Sequence, residues 1–184
     1  MASTVSTGGY HRWSILLHWA MVLLFVMVYA FIELRVVFEK GTDARDAMKA
    51  AHFMFGLLVL LLVWLRLALR AIYRVQPIAP LPPAWQRMAA ATMQGALYLL
   101  MIGMPLAGWA TLSAYGNAIP FFGLELPAII APDRMLASQL QDWHVRIGDI
   151  GYWLIGLHAI AGLAHHYVRK DNALKRMLLS KSLG

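Results

Sequence analysis

The sequence predicts an all-α membrane protein built as a bundle of four transmembrane helices. Of its 184 residues, 60% are hydrophobic and 14% are charged, whereas a soluble domain is only about 45–50% apolar. The mean hydropathy is +0.60. The apolar residues fall into four stretches, each long enough to cross the roughly 30 Å hydrocarbon core of a bilayer. We therefore predict that residues 1–184 form a single transmembrane domain.

The first helix is predicted over residues 13–38. It begins with twenty residues, 13–32, that include His18 and no acidic or basic side chain. A cleaved signal peptide is the competing interpretation, but the apolar region of such a peptide is usually only about 7–15 residues long. No small-x-small cleavage motif closes this stretch. We therefore expect a membrane-spanning helix here.

Two further helices are predicted over residues 47–70 and 89–112. A charged loop, 39–46, precedes the second helix, and a proline-rich connector, 76–83, separates it from the third. Proline ends a helix because it lacks the amide donor and clashes with the preceding turn. Pro105, which lies between two glycines in the sequence, is expected to kink the third helix.

The fourth helix is predicted over residues 142–168, after a long loop at 113–142. A loop of this length at a membrane surface is often functional or covers a site. The helix runs into a basic tail that extends to Gly184.

The cations are unevenly distributed between the two ends of the predicted bundle. The end that holds both termini carries ten cations and one acidic residue, Asp171, whereas the other end carries six cations and eight acidic residues. The positive-inside rule therefore predicts that both termini are cytoplasmic. The net charge of +7 reflects this topology, and we predict no binding of nucleic acid.

The sequence contains no cysteine. This excludes disulfides, iron–sulfur clusters, cysteine-ligated zinc and haem attached covalently through cysteine. A metal ion in this chain would therefore be held by histidine or oxygen ligands.

Four of the seven histidines are predicted to form two pairs at two depths. His144 and His158 are fourteen residues apart on the fourth helix, which is nearly four turns and about 21 Å. Because the helices alternate in direction, His18 matches His158 near the cytoplasmic side, and His52 matches His144 near the outer side. Histidine is unfavourable inside a bilayer unless it has a partner or a function.

A pair of imidazoles in a helical bundle suits a b-type haem. Two histidines fill both axial positions of the iron, which favours electron transfer over reactions with oxygen. We therefore predict two haem b groups, one per histidine pair. Taken alone, any one of these histidines could instead be an ordinary polar contact between helices. Three glycines lie four residues after ligand candidates and would let a flat macrocycle approach the backbone: Gly56, Gly148 and Gly162.

The other three histidines have less specific interpretations. His11 is expected to be a solvated interfacial residue, and His166 a structural one. His165 lies two turns beyond His158 on nearly the same face. It is either a surface residue or a polar group at a quinone pocket near the cytoplasmic side.

Several charged residues also flank the predicted haems. Arg66 and Arg70 are expected mainly to set the topology, although either could pair with a haem propionate. Asp149, three residues from Arg146, could neutralise that arginine. Three cations on the outer side could otherwise attract an anion: Arg35, Lys49 and Arg146.

These motifs together resemble the prokaryotic cytochrome b561 family, the small four-helix di-haem b cytochromes of bacterial inner membranes. The resemblance implies the same two pairs, His18 with His158 and His52 with His144. It covers nearly the whole chain through the following motifs: His18-Trp19, Glu33-x-Arg35, His52, Arg66-Leu-x-Leu-Arg70, Trp143-His144, Gly156-Leu-His158, Ala164-His165-His166-Tyr167 and Lys170-Asp171-Asn172.

Some members of that family are superoxide oxidases, which pass electrons from superoxide through the haems to ubiquinone. In them the position of His165 is implicated near the quinone. The resemblance therefore implies a catalytic role for His165, ubiquinone as the acceptor, and superoxide or another outer-face redox donor.

The chain departs from such members in the connector after the second helix. Where they carry a lysine-rich proline segment, this chain has Ala79-Pro80-Leu81-Pro82-Pro83, without lysine. Arg74 or Arg87 would have to replace that lysine, or the quinone is reduced at another place.

The leading prediction is thus a membrane-bound superoxide:ubiquinone oxidoreductase. One alternative is a haem b subunit that links a separate dehydrogenase to the quinone pool. Another is a haem-free transporter or proton relay that uses membrane histidines. A purely structural anchor is a third, but it leaves the matched depths of the histidines unexplained.

Overall fold

The computed structural model describes residues 10–73 and 78–178. In these two ranges, four helices are long and apolar enough to cross a membrane, which confirms the predicted fold class. They are α1 (Arg12–Leu34), α2 (Asp43–Ile72), α3 (Ala84–Tyr115) and α4 (Arg134–Tyr167). A short antiparallel hairpin, β1 (Ile119–Phe121) and β2 (Leu124–Leu126), lies between α3 and α4.

Two sides of the bundle are distinguished below. The termini side is where α1 begins, α2 ends, α3 begins and α4 ends. The hairpin side holds the 38–42 turn between α1 and α2 and the hairpin formed by β1 and β2.

The second and third helices extend beyond the predicted 47–70 and 89–112. The hydroxyl of Thr42 accepts a hydrogen bond from the Arg45 N–H at 3.4 Å, and an N-cap of this kind starts α2 four residues earlier. α3 begins directly after Pro83 and ends at Gly116, whose φ of +70° is the left-handed conformation that closes a helix. Polar turns at helix ends lack the apolar signal used to delimit a membrane span.

The fourth helix begins at Arg134 rather than at 142. The carboxylate of Asp133 accepts hydrogen bonds from the N–H groups of Met135 and Leu136, at 2.9 and 3.0 Å. This cap satisfies two of the backbone donors that a helix leaves unpaired at its start. The additional turns replace the second part of the predicted 113–142 loop.

The first helix ends near the predicted position. The α-helical part stops at Leu34, and a 3₁₀ turn, Arg35–Val37, continues it to one residue short of 38.

The apolar core is made by three of the four helices. One buried cluster joins α1, α2 and α3, and a second joins α2 and α3 to β1. Neither cluster includes a residue of α4, although the whole of that helix is described; its only buried residues are Ala137 and Gly151. α4 packs on α3 and otherwise meets the bundle through the side chains described in the next section.

The β1–β2 hairpin covers the hairpin side of α2 and α3. Its two-residue turn, Phe122 and Gly123, has positive φ at both positions, as this tight connection requires. Ile119 of β1 is 2% exposed and packs with Leu57 and Leu112.

A serine in α3 fixes the segment that follows the hairpin. The Ser113 hydroxyl donates to the carbonyl of Trp109 at 2.9 Å and accepts from the Ile129 N–H at 3.1 Å. The Trp109 indole in turn donates to the Pro127 carbonyl at 2.9 Å. Ser113 is 1% exposed, so bulk water cannot easily reach its hydroxyl and replace these hydrogen bonds.

We expect Ser113→Ala to lower the free energy of unfolding by about 1 kcal/mol, because it removes the acceptor of the part-buried hydrogen bond from the Ile129 N–H. The matched control is Thr111→Val, because the Thr111 hydroxyl only bonds a carbonyl of its own helix. Thermal unfolding in detergent micelles measures the difference. Equal midpoints for the two variants would contradict this role of Ser113.

Candidate histidine pairs across the bundle

One stripe of α4 carries a residue of interest at every seventh position: His144, Gly151, His158 and His165. Seven residues make nearly two turns and about 10.5 Å of helix. The four residues therefore lie on almost the same face at four successive depths. This face meets α1 and α2.

On the hairpin side, the stripe brings His144 opposite His52. The two ring centres are 6.1 Å apart, and the ring planes are nearly perpendicular at 80°. Nδ1 of His52 lies 2.9 Å from the Val28 carbonyl oxygen. A hydrogen bond to this acceptor fixes the ring and leaves Nε2 available for a metal ion.

His144 is held closely by α3. A Cβ atom on Gly108 would lie 3.3 Å from Cε1 of His144, so this imidazole occupies space that a larger residue at 108 would fill. Nδ1 of His144 is buried and has no hydrogen-bond partner among the described residues.

On the termini side, the stripe brings His158 opposite His18. Their ring centres are 6.3 Å apart, with an angle of 78° between the ring planes. Arg66 lies close enough to interact electrostatically with both imidazoles. Arg70 instead donates a hydrogen bond to Gln94 of α3 at 2.9 Å.

Between the two pairs, α4 and α1 are in direct contact at Gly151. A Cβ atom at this position would collide with the Tyr29 hydroxyl and would lie 3.4 Å from Leu100. The same hydroxyl donates to the Gly148 carbonyl at 3.0 Å. Midway between the two histidine pairs, no space is therefore left between α4 and Tyr29 of α1, and this contact separates the pairs.

The spacing within each pair fits a metal ion held between two imidazoles. A ligating nitrogen lies about 2 Å from its metal ion and about 1.1 Å from the centre of its own ring, so two imidazoles on opposite sides of one ion have centres about 6 Å apart. In residues 10–73 and 78–178, no group of three or more His, Cys, Asp or Glu could hold a bare ion. A macrocycle that supplies the other ligands, as haem does, suits two histidines.

A cavity adjoins the hairpin-side pair. Its volume is about 450 Å³ and its walls include His52, His144 and Gly56, a size typical of sites for organic ligands. A Cβ atom on Gly56 would meet nothing within 4 Å. Gly148, by contrast, is approached by Met104 at 3.6 Å from the same hypothetical atom.

Two of the three predicted outer cations lie at this cavity. Arg35 and Lys49 line it, and Lys49 also pairs with Asp46 at 2.8 Å. Arg146 is not among the lining residues; its guanidinium lies 5.9 Å from the centre of the Trp143 ring. The structure records no ion pair between Arg146 and Asp149, although both are described.

The cavity wall also contains a hydrogen-bonded tyrosine that the sequence analysis did not single out. The Tyr152 hydroxyl donates to Glu33 at 2.9 Å, and its ring lies 4.1 Å, centre to centre, from that of Tyr29. These contacts tie the end of α1 to α4.

At the termini side, residues 168–178 fold back over the end of the bundle, and we call them the return segment. The Trp19 indole donates to the Met177 carbonyl at 2.8 Å, and the Ala79 N–H donates to the Asn172 side chain at 3.0 Å. Asp171 lies 2.5 Å from Nδ1 of His165. The basic tail is thus partly a packed element.

The charge on Asp171 is maintained by its partners. Burial alone would raise the pKa of this carboxyl, but hydrogen bonds from His165 and from the Ala173 N–H, together with the charge of Arg169, lower the pKa below its usual value. Asp171 is therefore ionised at neutral pH.

A family model for prokaryotic cytochrome b561 matches residues 9–180. The chain belongs to the prokaryotic cytochrome b561 family. Membership makes this cytochrome a multi-pass membrane protein that transfers electrons and binds b-type haem.

Three relatives align with almost the whole length of this cytochrome. It is 36% identical to cytochrome b561 homolog 1 of Escherichia coli (strain K12), over 92% of this chain and 96% of the relative. It is 35% identical to the probable superoxide oxidase CybB of Yersinia pestis, over 90% and 93%. It is 30% identical to cytochrome b562 of Cereibacter sphaeroides, over 92% and 95%.

Among the remaining residues named from the sequence, His11 has surroundings different from those expected. His11 is half-buried rather than solvated, because it accepts from the Trp13 N–H at 3.4 Å and stacks on Tyr73 at 3.8 Å between ring centres. His166 packs against the Tyr167 ring. Arg87 is exposed, and Arg74 lies outside the described residues.

Sequence reasoning missed the residues of this cytochrome that position the histidines. The spacing of Gly151, seven residues from both His144 and His158, was a readable signal. Gly108 and the Val28 carbonyl lie on other helices, and no local pattern connects them with an imidazole.

We expect Gly151→Ala to destabilise this cytochrome by about 1–3 kcal/mol, because the added methyl displaces the Tyr29 hydroxyl from a packed contact. Gly156→Ala is the control, since a Cβ atom there meets nothing within 4 Å. Thermal loss of the haem absorbance reports the effect. If both variants lose haem at the same temperature, α1 and α4 do not depend on this contact.

Proposed function

We propose that the protein oxidises superoxide on the hairpin side and reduces ubiquinone on the termini side. Two superoxide anions, one ubiquinone and two protons give two molecules of oxygen and one ubiquinol. The observation that carries the proposal is the presence of two histidine pairs at two levels of one bundle. The family membership and the 35% identity to a probable superoxide oxidase support it.

In this proposal each histidine pair holds one haem b. His52 and His144 would ligate one haem, and His18 and His158 would ligate the other. Haem b, when bound, supplies one-electron chemistry at the iron. The protein contributes the ligands, their orientation and the exclusion of water.

The ligand positions are stabilised by groups of this chain. The Val28 carbonyl holds His52 in the orientation that points Nε2 away from α1, and Gly108 gives His144 room against α3. Arg66 provides a positive charge beside the termini-side pair, where it can offset the negative charge of haem propionates.

The proposed donor side favours an anion. Arg35 and Lys49 line the cavity beside His52 and His144, and cationic groups at a cleft raise the local concentration of an anionic substrate. The sign of this field matches superoxide. The hairpin side would then face the outside of the bacterial inner membrane, with both termini in the cytoplasm, as the distribution of cations favours.

The proposed acceptor side must supply protons. Ubiquinone takes up two protons with its two electrons, and His165 lies on the same stripe of α4 as His158, about 10.5 Å further toward the termini side. We assign His165 to the quinone-reducing site as a proton donor. The connector after α2 lacks the lysine that some family members carry there, so we assign the proton-donating role to His165 instead.

Replacing a ligand should remove the haem of its own pair only. We expect His52→Ala and His144→Ala each to reduce the haem content to about half, and His18→Ala and His158→Ala to remove the other half, because an axial position of the iron is lost. Haem per protein, measured as the pyridine haemochrome, and a redox titration distinguish the two groups.

The control is His166→Ala, which removes a histidine of the same helix outside both pairs and should keep the full haem content. Loss of both haems in equal measure from every ligand variant would contradict the proposed pairing. A colourless wild-type protein would favour a haem-free relay.

Superoxide should reduce the purified oxidised protein directly. We expect Lys49→Gln to slow haem reduction by about 2- to 5-fold at low ionic strength, because it removes a cavity cation and leaves Asp46 unneutralised. Stopped-flow mixing with superoxide measures the rate constant, and added salt should reduce the difference.

Lys40→Gln is the matched control, because it removes an exposed lysine of the 38–42 turn that does not line the cavity. No haem reduction by superoxide in the wild-type protein, together with co-purification of a dehydrogenase, would favour a subunit that links such an enzyme to the quinone pool.

A further inference from the structure

Asp171, an acidic residue of the return segment, has a fully buried side chain. Its side chain is 0% exposed, whereas that of its partner, His165, is 23% exposed. The two residues are six positions apart in the sequence, and the backbone turn that joins them includes Lys170 at a φ of +54°. A non-glycine residue in this conformation is uncommon, and the turn places the carboxylate against the imidazole.

The carboxylate contacts three groups of its own neighbourhood. Nδ1 of His165 is at 2.5 Å, the Ala173 N–H at 3.0 Å and Nε of Arg169 at 3.5 Å. A buried carboxylate needs such partners, because an unpaired charge away from water is strongly unfavourable. The contact with Nδ1 decides which nitrogen of His165 remains available.

Gly162 lies between His158 and His165 on α4, four residues after the first and three before the second. A Cβ atom on Gly162 would meet nothing within 4 Å. No described side chain therefore occupies the position that a Cβ atom at 162 would take, one turn before His165.

We propose that Asp171 is a positioning residue of the quinone-reducing site: it accepts the hydrogen bond from Nδ1 of His165 and so presents Nε2 of His165 as the proton donor to ubiquinone. This inference rests on the proposed function and deepens it. A carboxylate behind an imidazole fixes its tautomer and stabilises its protonated form.

The proton transfer balances as follows. Two electrons reach the quinone from the reduced haems, and two protons are required to complete ubiquinol. His165 donates from its doubly protonated form: the Nε2–H bond breaks, an O–H bond to a quinone oxygen forms, and the neutral ring keeps its Nδ1–H bonded to Asp171. Water at the exposed edge of His165 then returns the proton to Nε2, and a second cycle or direct uptake from water supplies the other proton. Asp171 remains a carboxylate throughout.

Asn172, the next residue in the return segment, provides a control for loss of a structural contact in that segment. Its side chain accepts from the Ala79 N–H at 3.0 Å and does not contact His165 in any recorded hydrogen bond. Asn172→Ala therefore weakens the docking of the return segment without touching the Asp171–His165 contact. A merely structural role for Asp171 predicts that Asp171→Asn and Asn172→Ala behave alike.

The test separates reduction of the haems from their oxidation by quinone. Wild type, Asp171→Asn, Asn172→Ala and His165→Gln, all loaded with haem, are reduced anaerobically with dithionite and mixed with ubiquinone-1 in a stopped-flow instrument. The same variants are mixed in the oxidised state with superoxide. The quinone reaction is repeated with imidazole in the buffer as a small soluble proton donor.

We expect Asp171→Asn to slow haem oxidation by ubiquinone-1 by roughly 10- to 100-fold, as loss of an oriented general acid does. His165→Gln should be slowed at least as much, and Asn172→Ala should stay near the wild-type rate. Imidazole should restore part of the rate in the first two variants. The reaction with superoxide should be unchanged in all three, because it takes place at the other side of the bundle.

An Asp171→Asn protein that is oxidised at the wild-type rate would overturn the inference. So would equal slowing of Asp171→Asn and Asn172→Ala without rescue by imidazole, because the residue would then act only by holding the return segment. If the wild-type protein itself is not oxidised by ubiquinone-1, the proposed acceptor is wrong and the inference falls with it. A wild type that responds to the quinone but not to superoxide leaves Asp171 in place and removes only the proposed donor.

Discussion

The organisation of the bundle depends on one stripe of α4, on which His144, Gly151 and His158 recur at intervals of seven residues. The two histidines face partners on α2 and α1 with ring centres 6.1 and 6.3 Å apart. Gly151 between them lets Tyr29 approach the backbone. α4 contributes nothing to the two apolar clusters of the described residues. It packs on α3 and meets α1 and α2 at these positions of the stripe.

The contact between Gly151 and Tyr29 bears on the geometry of the histidine pairs on either side of it. An imidazole pair about 6 Å apart is a polar arrangement that apolar packing would not maintain by itself. A tight helix–helix contact between the pairs fixes the depth and the facing of both. In the proposed function, this rigidity would keep two redox centres at a constant separation across the membrane.

The two sides of the bundle are covered by different elements. On the hairpin side, β1 and β2 cover α2 and α3, and basic residues remain at the edge of the cavity. On the termini side, the return segment carries a fully buried carboxylate into contact with His165. An uncompensated buried charge is strongly destabilising, so the partners of Asp171 are required for the segment to fold in this place. The asymmetry suits a protein whose proposed donor is an anion on one side and whose proposed acceptor takes up protons on the other.

The order of the four helices and the matching of His18 with His158 and His52 with His144 in depth followed from the sequence, because both depend on the length of apolar stretches and on the alternating direction of successive spans. The start of α4 did not follow, because Asp133 begins that helix among polar residues that carry no hydropathy signal. The contacts of Gly151 with Tyr29, of Gly108 with His144 and of Asp171 with His165 were decided only by the tertiary structure. Each of them joins groups through space, at distances that depend on how helices pack or turn. The seven-residue spacing places Gly151 on the stripe, but it does not identify Tyr29 as the residue that approaches it.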